Sequence, residues 1–227
     1  MTNRNLSLVT LLSLSLIAVT GCGGGDETGV IRQEFQTFLN DHTKDSRSAW
    51  TRFGEMAESR VSAWEKAAKG GMPEAQVFLG RCYYHGYGVA KSDTEAMNWY
   101  RKAAEQGLAF AQHELAICYW SSIGVSQDEA EAVKWHRKAA EQGFAASQNS
   151  LATMYHFGQG VSEDEAEAVK WYRKAAEQGN LDAAYSLGEL YYFSKDYTEA
   201  ARWLRIVQDH RLYGESATEM LKAIEDN

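Results

Sequence analysis

The chain has 227 residues, a formal net charge of −8, 44% hydrophobic side chains, three cysteines and one proline. An acidic chain is poorly suited to nucleic acid or to broad contact with anionic lipid, which leaves a basic protein patch as a reasonable partner. With a leader set aside, about 200 residues remain, a length that suits one elongated repeat domain.

The chain opens with Arg4 and an apolar run from Leu6 to Thr20. That run is shorter than the roughly 20 residues a spanning helix needs and has the layout of a secretory signal. Val19, Thr20, Gly21 and Cys22 close it, a sequence that resembles the bacterial lipobox. The resemblance implies a lipoprotein signal over residues 1–21, lipidation of Cys22 and, with Gly23 in place of an aspartate, anchoring to the outer membrane facing the periplasm. The membrane is then met only through the lipid. Residues 22–29, rich in glycine, read as a flexible tether, and loss of Arg4 with the leader makes the remainder more acidic.

Residues 30–71 are expected to form N-terminal capping helices, a short one over 30–40 and a longer one over 47–69. The second ends in Trp64, Ala67, Ala68 and Gly71, half of a pattern that then recurs in full. Trp99 to Gly107 (WYRKAAEQG) returns as Trp135 to Gly143 (WHRKAAEQG) and as Trp171 to Gly179 (WYRKAAEQG), each 36 residues after the last. A period of that size marks a supersecondary unit that cannot bury its apolar face alone, so neighbouring copies must stack and share a core.

Within residues 72–107, Ala75, Leu79 and Tyr83 form one stripe of a first helix, with small Gly80 beside them. Gly86 and Gly88 end that helix, and Ser92 with Glu95 starts the second through a capping box. Ala96, Trp99 and Ala103 then supply its apolar side, and Gly107 the left-handed stop. Residues 108–143 and 144–179 repeat this plan, with matching boxes at Asp128 and Glu131 and at Asp164 and Glu167. In residues 180–213 the loop is four residues shorter, Asp196 pairs with Glu199, and Val207 and Gln208 stand where two alanines stood, so the unit is closer to a plain tetratricopeptide repeat. Residues 214–227, with Ala217, Leu221 and Ile224 at helical spacing, read as a C-terminal capping helix.

These glycine, alanine and tryptophan positions, all in register, resemble the Sel-one-like repeat (SLR) family, relatives of the tetratricopeptide repeats. The resemblance implies an all-α fold, a right-handed α-solenoid of antiparallel helix pairs that holds other proteins on its concave side. Short secreted bacterial members include immunity proteins that neutralise toxins, among them phospholipases delivered by type VI secretion. Alternatives are an envelope assembly or regulatory scaffold and a β-lactam or cell-wall hydrolase.

The sequence carries no catalytic motif to support the hydrolase, neither Ser-x-x-Lys, Gly-x-Ser-x-Gly, His-Glu-x-x-His nor a phosphate loop. No histidines have the close spacing of a zinc site, so neither cofactor nor metal is expected. Cys82 and Cys118 occupy the same place in consecutive copies; equivalent helices lie about 8–10 Å apart, beyond the roughly 7 Å that a disulfide spans between Cα atoms. Met154 and Leu190 follow at that place, which makes it a buried apolar position.

What fails to repeat lies on the opposite side of each first helix, which the resemblance places on the concave face. There stand Val77, Arg81 and Tyr84; Phe110, His113, Ile117 and Trp120; Asn149, Thr153 and His156; and Tyr185, Glu189 and Tyr192. Tyr84, Trp120, His156 and Tyr192 line up as a ring-bearing stripe. Such a stripe either anchors a protein partner, whether a toxin or an envelope component, or packs between neighbouring helices.

Overall fold

The computed structural model describes residues 26–226 apart from Asp45; the leader and Cys22 lie outside the described residues. Among the described residues there are eleven helices and no strand. Helices α1 (Glu27–Lys44) and α2 (Ser46–Lys69) precede four antiparallel pairs: α3 (Pro73–His85) with α4 (Asp93–Glu105), α5 (Ala109–Trp120) with α6 (Glu129–Glu141), α7 (Ala145–Phe157) with α8 (Glu165–Glu177), and α9 (Leu181–Phe193) with α10 (Tyr197–Val207). Helix α11 (Gly214–Glu225) ends the stack, an all-α repeat solenoid in which each helix packs mainly on its neighbours in the chain. No described helix is long and apolar enough to cross a membrane.

The repeated sequence fixes each pair by local chemistry. Ser92, Asp128, Asp164 and Asp196 accept the backbone N–H three residues on, at 3.0 to 3.2 Å, and so start α4, α6, α8 and α10. Gly107, Gly143 and Gly179 end α4, α6 and α8 at φ of 89 to 92°. In the loops, Gly124 lies against the first turn of α4 so closely that a Cβ would sit 2.2 Å from the Asp93 carbonyl oxygen, and Gly160 repeats the contact against Glu129. Only glycine lets the loop of one repeat seat on the second helix of the repeat before it.

Two ladders stitch repeat to repeat, and a third lies within each repeat. Gln106, Gln142 and Gln178 donate to Gln76, Gln112 and Gln148 at 2.6 to 2.7 Å, and those buried amides donate in turn to the Ala68, Ala104 and Ala140 carbonyls. Arg101, Arg137 and Arg173 donate to the Tyr119, Tyr155 and Tyr191 hydroxyls of the next repeat. Lys102, Lys138 and Lys174 each cover the ring of their own repeat's tryptophan at 3.8 to 4.0 Å. The polar half of the repeated phrase is thus structural rather than solvent decoration.

At the N-terminal end, α1 differs from the expected short helix. It begins at Glu27, inside the stretch read as tether, because Thr28 and Gly29 follow Asp26, whose carboxylate accepts from the Thr28 N–H. Ile31, Phe35 and Phe38 form one buried face. Phe35 and Phe38 meet Phe78 of α3 and also Phe110 of α5, with ring centroids 5.5 to 6.0 Å apart. Phe78 packs in turn on Phe53 and Trp64, whose indole N–H donates to Glu34. Helix α1 therefore spans two repeats instead of pairing with one.

Candidate partner-binding groove

Helices α3, α5, α7 and α9 carry one wall of the solenoid, because the tryptophans and paired alanines of the second helices are buried on the other. Along that wall runs a groove of about 1030 Å³ bounded by Tyr84, Phe110, His113, Ile117 and Phe144, and at its far end by Asn180, Asp182 and His210. Its two acids are engaged. Glu114 accepts from Arg81 at 2.7 Å, and Asp182 accepts from the Tyr213 hydroxyl.

The residues expected to meet a partner separate into groups. Tyr84, His113, Ile117, Trp120, Asn149, Thr153, His156, Tyr185, Glu189 and Tyr192 are half-buried; of these Tyr84, His113 and Ile117 line the groove, Thr153, His156 and Glu189 line a second cleft, and Trp120, Asn149, Tyr185 and Tyr192 line neither. Val77, Arg81 and Phe110 are not available: they are 0%, 1% and 3% exposed. The reason is α1, whose phenylalanines close over them and leave the Arg81 guanidinium between Phe38 and Phe110, 4.7 and 4.8 Å from the ring centres. A helical wheel of one repeat contains no information about a helix some forty residues earlier.

Tyr185 and Glu189 serve the other end as well. The Tyr185 ring stacks on Tyr213 at 4.6 Å, and its hydroxyl lies within 2.9 Å of both Glu189 Oε1 and Ser216 Oγ, tying α9 to α11. Thr153 Oγ1 lies 3.0 Å from the Tyr172 hydroxyl. Burial raises the Tyr172, Tyr185 and Tyr213 hydroxyls above the ordinary phenol range, Tyr213 to about 12 with help from Asp182.

One cluster resembles catalytic machinery. Ser147 Oγ lies 2.9 Å from His113 Nδ1 and 3.2 Å from His136 Nδ1. However, Ser147 has no exposure, and burial, reinforced by the neighbouring His113, holds His136 neutral by lowering its pKa to about 3. The serine is a hydrogen-bonding plug at the joint between residues 108–143 and 144–179, where the preceding and following joints hold Tyr100 with Ala111 and Tyr172 with Ala183. Cys82 and Cys118 are free and buried, their thiols raised to about 12 by desolvation. Among the described residues no three potential ligands gather as a metal site.

Two functional candidates escaped the sequence reading. Phe157 and Phe193, the last residues of α7 and α9, are 62% and 72% exposed. They flank a second cleft of about 530 Å³ that contains Thr153, Tyr172, Glu165 and Glu189. Their signal was their position: an apolar residue directly before the loop, where earlier copies have His85 and Ser121.

Comparison with known proteins follows the same frame. A family model described as Sel1 repeat matches residues 73–108, 109–144, 145–180 and 181–206, the last being the unit with the shortened loop. No curated protein matches the chain. Among solved structures the chain is similar to c5321, a protective antigen present in uropathogenic Escherichia coli strains displaying an SLR fold, with 34% identity and a TM-score of 0.65 over 78% of this chain and 40% of that one. It is similar also to a Sel1 repeat protein from Oxalobacter formigenes, with 34% identity and a TM-score of 0.67 over 74% of this chain and 49% of the other. The chain thus spans less than half the length of either. Immunity protein Pa5087 from Pseudomonas aeruginosa is 17% identical with a TM-score of 0.48, over 80% of each chain, a likeness too low to carry an argument.

Proposed function

The chain belongs to the Sel1 repeat family, and from that membership we propose a protein-binding module, held at the periplasmic side of the outer membrane by lipidated Cys22, that takes its partner in the groove of the first helices without covalent chemistry. The observation that carries this reading is the contrast between frame and lining. Glutamines, alanines, tryptophans and glycines repeat because they hold the stack together, whereas Tyr84, Ile117, Trp120, His156 and Tyr192 vary from copy to copy and stay half-buried on one wall. Large rings that are partly accessible beside a concavity are suited to anchoring a protein surface.

Within this class we place the chain as an immunity protein that occludes a secreted toxin, such as a phospholipase effector. Support comes from the lipobox-like leader, which would put a small binding module where such a toxin arrives, and from the groove of about 1030 Å³ along the first helices. An envelope scaffold would use the same groove and differs in what it holds.

The test is affinity capture from periplasmic extract with the full chain and with a variant carrying Tyr84→Ala, Trp120→Ala and Tyr192→Ala. A partner recovered by the first bait and lost by the second is expected; equal recovery by both rejects the ring-bearing wall of the first helices as the binding surface. Periplasmic expression of the captured partner then decides between the two roles. Killing that is relieved by co-expressing this chain is expected for immunity, and absence of killing overturns it.

A further inference from the structure

The cleft between Phe157 and Phe193 rests on the same protein-binding reading but states what the partner must present. We propose that it is a clasp for an arginine side chain flanked by apolar residues on the partner protein. The two phenylalanines end equivalent helices 36 residues apart, so their rings stand at the same edge of consecutive repeats. Both are largely exposed among the described residues.

Between them the lining changes character. Glu189 and Glu165 contribute carboxylates, Thr153, Tyr172 and Ser186 contribute hydroxyls, His156 adds an imidazole, and neither lysine nor arginine lines the cleft. The position of Glu189 is not a repeated acid: the earlier copies hold Arg81, Ile117 and Thr153 there. One Glu189 oxygen accepts from Tyr185 at 2.9 Å, which orients the carboxylate without neutralising it.

Two rings around a carboxylate call for a ligand with an apolar stem and a cationic head. Arginine satisfies both parts, since its methylenes lie along apolar surface while the planar guanidinium stacks on aromatic faces and bonds carboxylate through a fork. An acidic or neutral side chain would leave Glu189 and Glu165 uncompensated on closure. The acidic chain as a whole favours approach of a basic partner.

The clasp is tested with a defined probe, N-acetyl-Leu-Arg-Leu-amide, titrated into the ¹⁵N-labelled full chain and followed by amide shifts. Shifts confined to residues 153–157, 165, 172 and 186–194 are expected, with the Gln and Glu versions of the peptide inert. Glu189→Gln should weaken binding about fivefold, the scale of a partly desolvated cation contact. Phe157→His with Phe193→Ser, which copies the side chains of positions 85 and 121, should abolish binding while the remaining spectrum stays unchanged. No shifts, shifts elsewhere, or equal shifts with the Gln peptide overturn the clasp, as does an unaffected Glu189→Gln variant. Such a failure leaves partner capture through Tyr84, Trp120 and Tyr192 intact, so the two readings fall separately.

Discussion

The two ends of this solenoid treat the same wall in opposite ways. Over the first repeats, α1 lays Phe35 and Phe38 across Phe78 and Phe110, and a guanidinium that would otherwise have met a partner is sealed between rings. Over the last repeats α11 packs on α10 and reaches the wall through Ser216 at Tyr185, and Phe157 and Phe193 stand in solvent. One end spends its aromatic residues on its own stability, and the other keeps them available. The position in the repeat says where a side chain sits; which elements lie beyond the repeat says whether it is reachable.

The contrast breaks if the exposed rings prove as costly to remove as the covered ones. Phe78→Ala, at the centre of the cluster joining α1, α2 and α3, should cost about 3–5 kcal/mol in urea unfolding. Arg81→Ala should cost about 3 kcal/mol, because Glu114 then loses the cation 2.7 Å away that balances it; a neutral outcome would mean that α1 leaves the site open to water. The middle of the stack is tested by acid. His136 is held neutral when folded, with a pKa of about 3 against 6.5, so the unfolded chain binds its proton first and stability falls as pH drops from about 6.5 towards 3. The pair His136→Tyr and Ser147→Ala, copied from the adjacent repeats, should remove up to about 1.4 kcal/mol of that loss per pH unit, seen as a flatter dependence of midpoint on pH than in the parent.

Smaller effects sharpen the comparison. Asp128→Ala removes the cap of α6 and should cost about 1 kcal/mol. Phe157→Ala, by contrast, should change stability by less than about 0.5 kcal/mol, with matched thermal melts as the check. A loss near that of Phe78→Ala would place Phe157 in the core and end its role as an anchor.

The frame was readable because its causes are local. Four side-chain N-caps, the glycines that end α4, α6 and α8, and the alanine and tryptophan stripes all act within a few residues, and each is found where the spacing puts it; the expected return bond of the capping boxes is not made, because the N–H groups of Ser92, Asp128, Asp164 and Asp196 donate to the carbonyls of Tyr83, Tyr119, Tyr155 and Tyr191 in the helix before. The fourth pair was legible even with its shortened loop, where Lys195 takes a positive φ of 67°. The wall was less legible, since burial of Val77, Arg81 and Phe110 depends on a helix from outside the repeats, and Tyr185 is claimed by Tyr213 and Ser216 from beyond their other end. Periodicity identifies what a copy shares with its neighbours and is silent on what the caps cover. Phe157 and Phe193 were overlooked for a related reason: they lie next to the loop signal, at a position whose earlier occupants are polar.

The glutamine, arginine and loop-glycine contacts reach no further than the adjacent copy. Insertion or deletion of a whole 36-residue unit between the near-identical protein segments 99–107, 135–143 and 171–179 would therefore leave every such contact preserved at the new joint. Groove length can change in one genetic event while both ends stay as they are, so a lineage facing a new partner can resize the protein before it alters a single lining residue.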